Sequence, residues 1–194
     1  MNRRNLIKLV SLVALVWPIQ TLAQPAVGTR RIGVLTYLEE NDPQSKIYLD
    51  AFVQSLQTLG WTVGRNLRID NRWTGSDAER ARKSAAELVA LAPDVILVAG
   101  GGMLGPLQRA THTIPIVFVQ VADAVGGGFV KSLAKPGGNA TGFTNFEFDI
   151  STKWLELLKQ IAPRMTRTAV LRDPNNPSGT GQFGAIQAAA ASFG

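Results

Sequence analysis

The chain has no cysteine and one histidine, His112, in 194 residues. Lack of cysteine suits an exported protein that does not rely on disulfides, although it decides little by itself. The histidine lies in a short polar connection and reads as a surface residue. Without cysteine, and without a Gly-x-Ser-x-Gly elbow, the parts of a hydrolytic nucleophile are missing. No His/Cys/acid cluster is spaced to hold a metal, so neither metal nor cofactor is expected. Internal repeats and low-complexity stretches are absent. So is any apolar run near the ~20 residues of a membrane span.

Strong charge is also lacking once the first segment is set aside. The formal charge is +6. Asn2-Arg3-Arg4-Asn5-Leu6-Ile7-Lys8 is a basic start, residues 9–16 are apolar apart from Ser11, and Thr21-Leu22-Ala23 supplies small residues for cleavage. This is the three-part layout of a secretory signal peptide, residues 1–23, cleaved after Ala23. Arg3-Arg4 equally fits a twin-arginine signal, so both export routes stay open and the periplasm is the expected compartment. Taking Arg3, Arg4 and Lys8 from the 20 basic side chains leaves 17 against 14 acidic, a net +3. With no basic stripe carrying aromatics, nucleic acid is not an expected partner.

What is present is organised around residues 94–123. Asp94-Val95-Ile96-Leu97-Val98-Ala99 and Ile116-Val117-Phe118-Val119 are short apolar runs rich in branched residues. Such runs suit strands buried on both faces of a parallel sheet. Between them lie Gly100-Gly101-Gly102 and a short helix over Met103–Ala110, completing a βαβ unit. In open parallel sheets, ligands bind beyond the carboxyl ends of the strands. The loops at 100–103 and 120–123 are therefore the first places to look for function.

The rest follows the same alternation. After a linker at 24–29, residues 30–37 read as a first strand. A helix over 44–59 follows, with Ile47, Ala51, Phe52, Leu56 and Leu59 on one face. Residues 66–73 alternate and read as a half-exposed edge strand. Ser76 or Asp77 caps a helix to about Leu91 whose buried face is small: Ala78, Ala81, Ala85 and Leu88. After the central unit, 126–133 reads as a short helix or turn, and 140–146 as a fifth strand. A helix runs from Ser151 or Thr152 to Ile161, residues 167–171 read as a sixth strand, and an alanine-rich helix begins near Ser178. The pattern predicts an α/β, doubly wound parallel sheet in the flavodoxin-like order 2-1-3-4-5.

Several segments carry a resemblance. They are Arg3-Arg4, the strand Ile32-Gly33-Val34-Leu35, and Pro115-Ile116-Val117-Phe118-Val119. They continue with Lys135-Pro136-Gly137-Gly138-Asn139-Ala140-Thr141-Gly142 and Val170-Leu171-Arg172-Asp173-Pro174-Asn175-Asn176-Pro177. In this order and spacing they resemble the ABC-transporter substrate-binding family that includes tryptophan- and tyrosine-binding proteins. The resemblance implies the type I periplasmic-binding-protein fold, with two α/β lobes closing on a small ligand that is passed to a membrane permease. It also implies lobe one over 30–146 and an incomplete lobe two over 147–194, in a chain shorter than the family's full pattern. The chain departs from that pattern at Gly100-Gly101-Gly102-Met103, where a threonine or serine is common. It departs again at Asp123-Ala124-Val125, where Asp-Pro-Val is common.

The expected ligand-binding residues are Tyr37, Gly100, Gly101, Gly102, Met103, Gln120, Asp123 and Asn145. Gly100–Gly102 either present N–H groups to a carboxylate at a helix start or only make a tight turn. Asp123 either accepts a ligand ammonium or caps the next segment. Tyr37 either packs on an apolar ligand or lies on the lobe surface. Gln120 points into the cleft or into a loop hydrogen bond, and Asn145 is hinge or pocket. The expected ligand is a small carboxylate, with an amino acid as the family's suggestion, and the expected state is a monomer. A sensing module on the same fold is an alternative. Gly100-Gly101-Gly102-Met103-Leu104-Gly105 also satisfies the G-x-G-x-x-G dinucleotide pattern, with Asp123 downstream. Pro106, the short helix and the unit's third place in the chain argue against that reading.

Overall fold

The computed structural model describes residues 28–146, 150–173, 176–177 and 179–192. The leader expectation over 1–23, and most of the linker, fall outside the described residues. Five parallel strands form one sheet in the order β2-β1-β3-β4-β5. They are β1 Arg30–Thr36, β2 Leu67–Trp73, β3 Val95–Ala99, β4 Ile116–Val121 and β5 Ala140–Thr144. The helices between them are α1 Pro43–Thr58, α2 Ala78–Ala90 and α3 Gly101–Ala110; α4 Ile150–Ile161 and α5 Thr180–Ala190 follow. The predicted strand order is the observed one.

Side-chain alternation along the strands divides the core. Leu35, Ile96, Val98, Ile116 and Phe118 face α2 and α3, where they meet Ala81, Ala85, Leu88, Leu104 and Leu107. Full burial contributes roughly 1.5–3 kcal/mol for each large side chain among these. Small residues on α2 let it approach closely. A Cβ at Gly33 would stand 3.3 Å from Leu88 and Ile96, so glycine in β1 serves the same approach. On the opposite face Ile32, Val34 and Leu67 pack with Phe52, Leu56 and Trp61 beneath α1.

The amino ends of the strands are tied by charge. The backbone N–H of Arg31 donates to Asp94 at 2.7 Å. The Arg31 guanidinium reaches Asp70 at 2.7 Å and the Leu91 carbonyl at 2.9 Å. One residue thus joins β1, β2 and the end of α2, leaving the carboxyl ends free for other work.

Three expectations are corrected. Residues 167–171 form no strand; a ladder needs a neighbour, and none of the described residues pairs with this segment. On α1 the inward positions are Ser45, Leu49, Phe52, Val53 and Leu56, whereas Ile47, Ala51 and Leu59 face solvent. The reason is local: the Ser45 hydroxyl donates to the Glu39 carbonyl at 2.7 Å, turning that helix face toward the loop. On α2 Ala78 is exposed and Ser84 is buried, because Asp77 caps the helix by accepting from the Glu79 and Arg80 N–H groups and places Ala78 in the outer first turn. For residues 126–133, read as a short helix or turn, the structure takes the turn, with bends after it.

Candidate functional site

The carboxyl ends of the strands open into a cleft of about 640 Å³. Tyr37 follows β1, Gly75 and Ser76 follow β2, Gly100–Met103 follow β3, Gln120 and Ala122 end β4, and Asn145 follows β5. Asp173, Asn176, Gly179 and Gln182 come from the segment leading into α5 and from its first turn. Seven of the eight residues expected from the sequence line this one cleft. The eighth is Asp123.

The glycine turn has a specific geometry. Gly100 precedes α3 with φ 91°, a region that strongly favours glycine. A Cβ there would stand 2.8 Å from the Tyr37 ring, so the ring lies directly against the backbone at the helix start. The Gly100 N–H donates to the Val119 carbonyl and the Met103 N–H to the Gly100 carbonyl. Gly101 and Gly102, the first residues of α3, have no intrahelical acceptor for their N–H groups. A Cβ at Gly102 would stand 3.7 Å from the Asn176 side chain.

Met103 enters the site by its backbone. Its side chain is 5% exposed and its sulfur receives the Thr74 hydroxyl at 2.8 Å. The same hydroxyl lies 2.9 Å from the Thr36 carbonyl. Thr74 is wholly buried and joins the ends of β1 and β2 to the start of α3. Sequence reading missed it, since a lone threonine after an edge strand carries no pattern.

Gln120 has φ 54°, where the β4–β5 register shifts between Phe118 and Val121. This irregularity interrupts the ladder, which resumes at Val121 with Thr144, and Gln120 lines the cleft. Its Oε1 is buried and accepts no hydrogen bond among the described residues, and the same holds for Gln182 Nε2 as a donor. The Asn145 N–H is held by the Val121 carbonyl at 3.1 Å, leaving its exposed side chain at the rim.

Asp123 does not meet the expectation of a cleft carboxylate. It is 0% exposed, has φ 50°, and is not part of the cleft wall. Its Oδ1 accepts from the Gly126 N–H at 2.8 Å, which is the capping alternative. A side chain at Gly126 would collide with this carboxylate. The physical reason is the left-handed turn, which folds Asp123 over the following loop.

The dinucleotide pattern also loses its geometry here. The third glycine of that fingerprint allows close helix–sheet packing, yet the nearest atoms to a Cβ at Gly105 belong to Arg109 and Phe129. Pro106 interrupts the ten-residue α3. A separate cavity of about 390 Å³ lies between α4 and α5, lined by Leu155, Met165, Val170 and Phe183. Its lining comes from α4, α5 and the segment between them, with no residue from the sheet. Among the described residues no group of His or acidic side chains could hold a metal ion.

Comparison with known proteins gives a consistent answer. A model of the ABC transporter substrate binding protein family matches residues 31–194. The "Tyrosine-binding protein" of Clostridioides difficile (strain R20291) is 32% identical over 142 residues, covering 73% of this chain and 40% of that protein. A conserved domain protein from Vibrio cholerae superposes with a TM-score of 0.73 at 28% identity, over 86% of this chain and 55% of that one. The ABC domain of a Streptococcus pneumonia protein, solved with L-Trp, superposes with a TM-score of 0.72 at 23% identity and the same coverages. The chain therefore spans about half, or less, of the length of the relatives it matches. With the 2-1-3-4-5 sheet and the family model agreeing over most of its length, the chain belongs to the ABC transporter substrate-binding proteins.

Proposed function

We propose that the chain is the solute-binding component of an ABC importer and takes a small carboxylate-bearing ligand, an amino acid, into the cleft at the strand ends. The observation that carries this reading is the convergence of Tyr37, Gly100–Gly102, Gln120 and Asn145 with Asn176 and Gln182 around one space of about 640 Å³. That volume lies within the roughly 300–1,000 Å³ of small-molecule sites. In this reading residues 30–146 are lobe one and 147–194 contribute to lobe two. The ligand carboxylate sits at the Gly101 and Gly102 N–H groups, where the α3 dipole favours negative charge, and Tyr37 packs against the ligand's apolar part. The relative named for tyrosine makes L-tyrosine the first candidate. The partner is a membrane permease and the compartment the periplasm, reached by the leader at 1–23.

The test is a thermal melt of the whole chain against L-tyrosine, L-tryptophan, other amino acids, simple carboxylates and NAD. A bound ligand at ~100 times its dissociation constant adds about 2.7 kcal/mol and raises the midpoint. A shift with an amino acid supports the reading and names the ligand class. A shift with NAD alone replaces it with dinucleotide binding, and no shift with any compound removes it.

A further inference from the structure

Two buried amide atoms in the cleft are left without hydrogen bonds. Gln120 Oε1 comes from the end of β4 and Gln182 Nε2 from the first turn of α5. Both side chains line the same space. Folding alone gives no reason for either. A buried polar atom without a partner is destabilising, and so is a non-glycine residue at the φ 54° of Gln120. Strain and an unmet hydrogen bond meet on one residue that faces the cleft, and the second unmet bond stands on another residue lining the same cleft. As oriented, Gln120 Oε1 accepts and Gln182 Nε2 donates, so a ligand carrying both a donor and an acceptor satisfies the pair.

We propose that Gln120 and Gln182 are paired specificity residues: Gln120 Oε1 accepts from the ligand's ammonium, and Gln182 Nε2 donates to a ligand oxygen. This deepens the binding-protein reading and rests on it. It narrows the ligand class from any small carboxylate to compounds bearing an amine beside the acid. The glycine turn cannot make that distinction, since N–H groups alone read only the negative end.

The test uses Gln120→Met and Gln182→Met in the whole chain. Methionine keeps the stem and removes the amide. Two quantities are read for each variant: the melting midpoint without ligand, and the affinity for L-tyrosine by calorimetric or NMR titration. The expected result is a midpoint raised by at least roughly 2–4 °C, because a costly unpaired atom has gone, together with about tenfold weaker binding, the scale of one lost hydrogen bond. A midpoint that falls or stays level in the variants overturns the proposal, whatever happens to binding, since the amides then serve the fold. Unchanged affinity overturns it as well. If the unaltered chain binds L-tyrosine and both variants bind equally, the pairing alone fails. If the unaltered chain binds none of the amino acids, the binding reading fails and takes the pairing with it.

Discussion

Gly142 is the residue with least freedom in the sheet. It pairs with Phe118 between β5 and β4, and a Cβ on it would run into the Phe118 backbone. Backbone cannot swing aside as a side chain can. Gly142→Ala is therefore expected to cost more than about 3 kcal/mol, read as a lower urea midpoint, and a near-neutral result would mean that β5 lies farther from β4 than described. At this scale the site was half legible. Tyr37, Gly100–Gly102, Gln120 and Asn145 stand just after apolar runs, so their place follows from strand ends alone. Asp123 also stands there, but one left-handed residue turned it away, and nothing in Asp123-Ala124-Val125 announces that dihedral. Asn176 and Gln182 belong to a distant segment with no periodic signal of their own.

At the scale of elements, β1 is anchored to its neighbours by carboxylates whose charge is stabilised. Burial alone raises the Asp70 pKa, but hydrogen bonds and charge from Arg31 and Arg68 outweigh it and hold the carboxyl below its ordinary value. Asp94 is lowered by the Arg31 backbone N–H and by the Arg30 side chain. A pKa lower in the folded state gives stability that is complete above the unfolded value, near 4, and lost as pH falls through it toward the depressed folded value. Asp70→Asn is thus expected to lower the denaturation midpoint at pH 7, with the gap to the unaltered chain shrinking by pH 3. A gap of equal size at both pH values would assign the loss to packing rather than charge. Element existence was legible because strand runs and helix caps are local signals: Asp77 caps α2 as its position before an alanine-rich stripe suggests. The phase of α1 was not, since Ser45 faces inward for a hydrogen bond that no hydropathy pattern encodes. Residues 167–171 have the composition of a strand, and composition is insufficient where no neighbour offers a ladder.

Over the whole molecule, apolar surface is left uncovered on the α1 side of the sheet and along α4. Val34, Leu97, Val117, Val119 and Phe143 border a cavity of about 430 Å³ beside α1, and Phe143 is 74% exposed. Leu157 and Ile161 of α4 are exposed too. Contiguous apolar surface of this kind marks a place where something packs. The whole chain is expected to enhance the fluorescence of an apolar dye such as ANS in native buffer, and Phe143→Ser to reduce that signal. Absence of enhancement would mean that these faces are closed in solution.

The position of β1 has a kinetic consequence. It is the first of the strands to be synthesised, yet it lies inside the sheet with parallel neighbours on both sides, and those neighbours begin only at Leu67 and Val95. Parallel pairing has to wait for a crossover segment, and pairing between distant segments is slow. A newly made chain therefore carries β1 unpaired until Trp73 is available, and paired on one side only until residues up to Ala99 follow. During that interval the segment Ile32–Leu35 is open to capture by a holding chaperone or to self-association. The order of synthesis, more than final stability, sets how long this chain stays extended.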